Sequence, residues 1–243
     1  MSHSKPYPRI FLPRKNRSIM DNDDYLSDSR YIDKQESASF INAARIIVKD
    51  YYEIMEYVEP VDANKSVFSH RIYELLLRTA TEFEASCKGV LLSNGYPKKD
   101  NLNMADYHKI SNLMKLDKYE ISSQLWSPTK RICPLAEWGS SHALTWFQAY
   151  NQAKHNRYQS FNKASLEHLY QGICSLIVIL AAQFPNSIGY ISSSGLSFTT
   201  DNDDELLTEV FTIKYPHFTD DEKYDFDWTA LKTTSTPFAL YSF

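Results

Sequence analysis

Glycine is scarce in this chain, 6 residues in 243, and its scarcity removes several function classes at once. A glycine-rich turn lets a backbone approach a phosphate closely. Neither a GxGxxG nor a Walker-type segment occurs, and there is no GxSxG elbow. Cysteine is as sparse. Cys87, Cys133 and Cys174 are odd in number, widely spaced and form no CxxC pair, which indicates neither a zinc knuckle nor a disulfide framework. Cys133, beside Pro134, has no local group to activate it as a nucleophile. His3, His70, His108, His142, His168 and His217 form no metal-spaced set, so no metal and no cofactor are expected. Long apolar runs are missing too. Ile173 to Ala182, bracketed by Gln171 and Gln183, falls short of the roughly 20 residues that span a bilayer. The opening Met-Ser-His-Ser-Lys-Pro lacks the apolar stretch of a signal peptide. A cytoplasmic protein without membrane contact is expected. Positive charge is not in excess: 26 Lys and Arg stand against 30 Asp and Glu, a net charge of −4. Any attraction for a polyanion must therefore be local.

What the chain does have is aromatic bulk, with 17 Tyr and 13 Phe, and helical periodicity. Residues 1–36 carry Pro6, Pro8 and Pro13, a basic group (Arg9, Arg14, Lys15, Arg17) and then acids, with no period. They read as a loosely structured N-terminal arm, or more sharply as a basic arm for nucleic acid. From about Ser39 to Glu59 the apolar residues Phe40, Ala44, Ile47, Tyr51 and Ile54 fall at 3,4 spacing, which predicts an amphipathic helix ended by Pro60. A second helix is predicted from about Ser66 to Ser93, stopped at Asn94-Gly95. Its Glu82, Glu84 and Lys88 read as a solvated face, Glu84 and Lys88 being spaced as a surface pair. A shorter helix follows at about 103–116, then an irregular stretch from Lys118 to Glu137 with a short strand at Tyr119–Ile121. Trp126, Trp138 and Trp146 are expected in the core. The most prominent element is a helical hairpin from about His142 to Phe184, whose second helix is expected to start with Asn162 as cap and Phe161 and Leu166 as a hydrophobic staple. Beyond Pro185, alternation at Phe211, Ile213 and Tyr215 suggests a strand. The fold expected is mainly α: an antiparallel bundle of four to five helices over residues 37–185, with a small C-terminal α+β extension over residues 186–243.

The polar, basic bend of the hairpin carries the candidate site. His155 sits between Lys154 and Arg157, with Asn151 one turn before it. A histidine exchanges protons near neutral pH, and adjacent cations steady a phosphate. The set Asn151, Lys154, His155 and Arg157 therefore suits metal-independent cleavage of an RNA backbone. The plainer explanation is a helix end, where cations complement the dipole. A carboxylate of the second helix, Glu82 or Glu84, is a candidate to orient His155.

The words Trp146, Tyr150-Asn151-Gln-Ala-Lys154-His155-Asn-Arg157, followed by an apolar helix and preceded by Glu82-Phe-Glu84-Ala-Ser-Cys-Lys88, resemble the HEPN superfamily of all-helical domains over about residues 39–184. The resemblance implies a helical bundle and a homodimer. It also implies metal-independent ribonuclease activity, in a bacterial toxin–antitoxin or phage-defence system. The implied partners are RNA and an antitoxin or other protein. In active members an Arg precedes the His by four to six residues. Here Tyr150 stands at the matching position and Arg157 lies on the other side of His155. The alternative is a catalytically inactive helical module that binds a partner protein or nucleotide, with Tyr224, Phe226 and Trp228 of the aromatic tail as docking surface.

Overall fold

The computed structural model describes residues 2–18, 23–97, 101–191 and 204–243, together with the backbone of 197–199. The chain is mainly α with a small antiparallel sheet.

Helix α1 (Lys34–Met55) begins before the periodic stretch because Asp33 caps it, accepting from Gln35 N at 2.8 Å and Glu36 N at 3.1 Å. Its stripe of Ile41, Ala44, Ile47, Val48, Tyr51 and Ile54 is buried. Helix α2 (His70–Ser93) starts later than its periodicity suggests, where Ser69 accepts from Ile72 N at 3.2 Å. It ends at Asn94, with Gly95 at φ 77, a backbone that favours glycine. The shorter helix is two pieces, α3 (Met104–Tyr107) and α4 (Lys109–Met114).

Strands β1 (Glu120–Ser123) and β2 (Arg131–Ile132) occupy the irregular stretch. They precede α5 (Thr145–His155), the single turn α6 (Arg157–Ser160) and α7 (Leu166–Ala181). Helix α7 packs against α2, α1 and α5 and is buried on nearly all sides, which accounts for its continuous apolar text. It admits a close neighbour at Gly172, where a Cβ would lie 3.1 Å from the Trp146 ring. The cap expected at Asn162 lies elsewhere: Asn162 is in a 3-10 turn, and Ser165 accepts from His168 N at 3.4 Å. Phe161 is correspondingly not a staple for α7 but packs on Phe68 and Tyr73.

The described strands form one antiparallel sheet in the order β2-β1-β5-β4-β3, with β3 (Ser197–Thr199), β4 (Glu205–Thr208) and β5 (Phe211–Lys214) from the C-terminal region. Ile121 pairs with Ile213, and both are fully buried. The sheet abuts α7, where Ser123 N donates to Tyr170 Oη at 3.2 Å. A short helix α8 (Trp228–Leu231) lies in the tail. One continuous core takes residues from the N-terminal segment, the helices and the C-terminal region.

Two expectations are corrected here. The N-terminal segment is no loose arm: Ile10 and Leu12 are fully buried, and Phe11 N donates to Ala182 O at 3.0 Å. Its prolines and its lack of period belong to an extended strap threaded through the core, which no periodicity can report. Its cations are consumed internally. Arg14 and Arg17 both reach Asp23, and Lys15 reaches Asp225. Nor is the aromatic tail a docking surface. Tyr224 is fully buried, its hydroxyl donating to Ile10 O at 2.9 Å and accepting from Tyr7 N at 3.0 Å, and Trp228 is buried as well. The tail closes over the strap, and Phe226 receives the Arg14 guanidinium at 4.7 Å.

Candidate functional site

Helix α5 is anchored at its start by Glu137, whose carboxylate accepts from Thr145 N at 2.7 Å. It buries Trp146, Phe147, Ala149, Tyr150 and Ala153, so the opposite face presents Lys154 and His155 to solvent. Asn156 breaks the helix at φ −134, ψ 59 and ties the bend by donating from Nδ2 to Gln159 Oε1 at 2.8 Å.

Arg157, the first residue of α6, is turned away from α5 and towards the N-terminus of α2. Its Nη2 lies 3.1 Å from His70 Nδ1, and its guanidinium lies 5.6 Å from the centroids of both Tyr73 and Phe161. Phe161 in turn sits 4.8 Å from the His70 ring. A guanidinium only donates, so His70 accepts at Nδ1 and carries its proton on Nε2. That leaves an N–H, and the remaining guanidinium donors, for an incoming acceptor. His70 is also the first helical residue of α2, at the positive end of that helix's dipole, where an anion is favoured. Around this pair the surface is aromatic: Tyr158 is 99% exposed and Phe68 47%. His70, Arg157, Tyr158 and Phe161 line an open depression of about 450 Å³.

The four residues singled out in the sequence do not converge. Lys154 bends back, donating to the Tyr150 hydroxyl at 3.1 Å with its ammonium 5.2 Å from that ring. This hydrogen bond, and Glu84 beyond it, hold the Lys154 ammonium above the ordinary lysine range. His155 is exposed, Asn151 is half-buried, and neither side chain makes a hydrogen bond to a described residue. The expectation that Glu82 or Glu84 orients His155 fails. Glu84 faces Lys154, with burial raising its carboxyl, while Glu82 is raised by burial alone. Glu84 and Lys88 form no ion pair, and Lys88 is simply exposed.

His70, Tyr73 and Phe161 were missed by sequence reasoning as site residues because their partner, Arg157, is far along the chain. The sequence offered no separate signal for them, because Phe68, which packs on Phe161, reads there as part of the apolar stripe of a helix starting at about Ser66.

Among the described residues no group of three His, Cys, Asp or Glu could hold a metal ion, and no helix is long and apolar enough to cross a membrane. Burial and Glu120 push the Cys133 thiol up, opposite to what a nucleophile needs. Trp126, Trp138 and Trp146 are buried, Trp126 stacking on Tyr170 at 4.7 Å. No protein-family model, curated protein or solved structure gives a significant match to the chain.

Proposed function

We propose that the chain is a HEPN-like helical bundle that engages RNA at the bend between α5 and α7. The observation that carries this reading is the Arg157 guanidinium: exposed, held over Tyr73 and Phe161, bonded to His70 and flanked by the open ring of Tyr158. A fixed cation supplies the phosphate contact, and flat rings beside it supply stacking surface for unpaired bases. The net charge of −4 makes this a local interaction, so it should weaken as salt rises.

Cleavage is the second reading, favoured by one observation. His155 is exposed two residues from Arg157, with no described side chain engaging its ring, and an imidazole is a side chain suited to general acid–base work. In that reading His155 moves the proton of the attacking 2′-hydroxyl or the leaving oxygen, Arg157 and Lys154 steady the phosphate, and Asn151 orients it. Its weakness is geometric, because Lys154 is engaged with Tyr150 and nothing positions His155.

The experiment that separates the readings is incubation of the protein with a mixed RNA pool in EDTA, alongside His155→Ala and Arg157→Ala. Retention of intact RNA that Arg157→Ala loses is expected from a binding surface. Shortened products that both substitutions abolish establish the cleavage reading. RNA neither retained nor cut removes both.

A further inference from the structure

The outward face of α1 and α2 carries a groove that the bend does not use. The two helices run antiparallel, with Asp50 in the last part of α1 ion-paired to Arg78 in the first part of α2. On one side of this pair a cavity of about 870 Å³ is floored by Ile54, Val58 and Leu75. On the other side a depression of about 310 Å³ continues over Ile46, Ile47 and Leu77, and Arg78 borders both. Ile46 remains 44% exposed and Tyr57 86%, large apolar groups with nothing over them. The rim is acidic: Glu53, Glu56 and Glu74 line the larger cavity with no ion pair to a described residue, against one unpaired cation, Arg71. Helix α1 also ends here, with no basic residue in its last turn, so its dipole adds to the negative potential.

We propose that this groove receives a basic amphipathic helix of a protein partner. An apolar floor between two parallel ridges takes the apolar stripe of a helix, and unpaired carboxylates along the rim take its Lys and Arg. From Ala43 to Tyr57 the groove spans roughly 21 Å, the length of about 14 helical residues. A small polycation would satisfy the acids but leave Ile46 and Leu77 uncovered. A second copy of this chain would bring two sets of unpaired carboxylates together.

The test uses the full-length protein and a fluorescein-labelled Leu/Lys peptide of about 14 residues, with Leu at helical spacing. A scrambled peptide of the same composition and the polyamine spermine are the controls. Saturable binding of the patterned peptide is expected, weakened about tenfold or more by the double substitution Glu53→Lys/Glu56→Lys and by Ile46→Ser, but unchanged by Arg157→Ala. Hydrogen-exchange protection should appear in α1 and the first half of α2. All three changes are on the surface, so an unchanged melting temperature confirms that folding is not the cause. Equal binding of the scrambled peptide, indifference to the double substitution, or full displacement by equimolar spermine overturns the proposal. So does a concentration-dependent dimer that Ile46→Ser dissolves, which would assign the groove to a second copy.

Discussion

Arg9 and Arg157 are the same side chain in the same chemical setting, each guanidinium lying over two aromatic rings, and they do opposite things. Arg9 is 1% exposed, with Phe40 at 4.8 Å and Phe184 at 5.7 Å. Its Nε donates to Gln183 Oε1 at 2.9 Å and its Nη1 to Glu36 Oε1 at 2.7 Å. It adopts φ 59, a left-handed backbone unusual for a branched-chain-free but bulky residue, and its head lies against α2 where only Gly89 leaves room. Arg157 has comparable rings but is exposed, and its guanidinium meets the His70 imidazole instead of a carboxylate. Burial makes the first arginine a rivet between the N-terminal strap, α1, α2 and the end of α7. Exposure leaves the second with donors to offer. The desolvation of a guanidinium is costly where its donors are not met, and even Arg9 keeps its Nη2 buried with no hydrogen-bond partner among the described residues; the exposed, aromatic-flanked Arg157 keeps its free donors in reach of a ligand.

Substitutions sharpen that contrast. Arg9→Ala has the largest expected effect: two charge-assisted hydrogen bonds and buried packing are lost, about 3 kcal/mol, or roughly 10 °C in the midpoint of a thermal melt. Gly89→Ala comes next, and its sign should depend on Arg9. In the wild type the added methyl meets the guanidinium and should destabilise by about 1–3 kcal/mol. In an Arg9→Ala background the collision is gone and alanine's helix propensity should return up to about 1 kcal/mol. Denaturant titration of the four chains reads this coupling directly, and additive effects would break the rivet picture.

Arg157→Ala should do the reverse of Arg9→Ala: stability within about 0.5 kcal/mol of wild type, and RNA affinity about tenfold weaker. Ser165→Ala should cost about 1 kcal/mol as a lost helix cap, whereas Asn162→Ala should be near neutral. Thermal melts of the pair decide which residue begins α7.

The smallest effect is a matter of pH. Lys115, and behind it the Thr219 backbone N–H, hold the Glu222 carboxyl down at about 2. A carboxyl depressed in the folded state adds stability above its unfolded value, about 4.3, and loses it as pH falls towards 2. The stability difference between wild type and Lys115→Met should therefore be flat at neutral pH and shrink through that acid window.

How much of this was legible depended on whether the cause was local. Helices α1 and α2 could be read because each repeats its apolar stripe along one stretch of chain, α7 because its apolar run is unbroken, and Phe211/Ile213/Tyr215 alternates within β5 and the residue after it. The strap at residues 7–12 could not, because its burial is set by Tyr224 and Ala182, more than a hundred residues away. The cap of α7 was misplaced because Asn162 and Ser165 are both good caps, and the intervening turn is drawn aside by Phe161 packing on α2. At the site, the sequence singled out the bend, but not the pairing of Arg157 with His70, which are 87 positions apart. A search for an Arg near a His along the chain finds Tyr150 in its place, while the folded chain supplies an Arg–His contact across two helices.

The most direct test of the bend as an RNA surface is fluorescence anisotropy of a short labelled single-stranded RNA titrated with wild type and with Arg157→Ala, both checked by thermal melting. Binding by the wild type, weakened about tenfold in the variant at an unchanged melting temperature, is the predicted result. Equal binding by the two proteins, or none by the wild type at low salt, would contradict it.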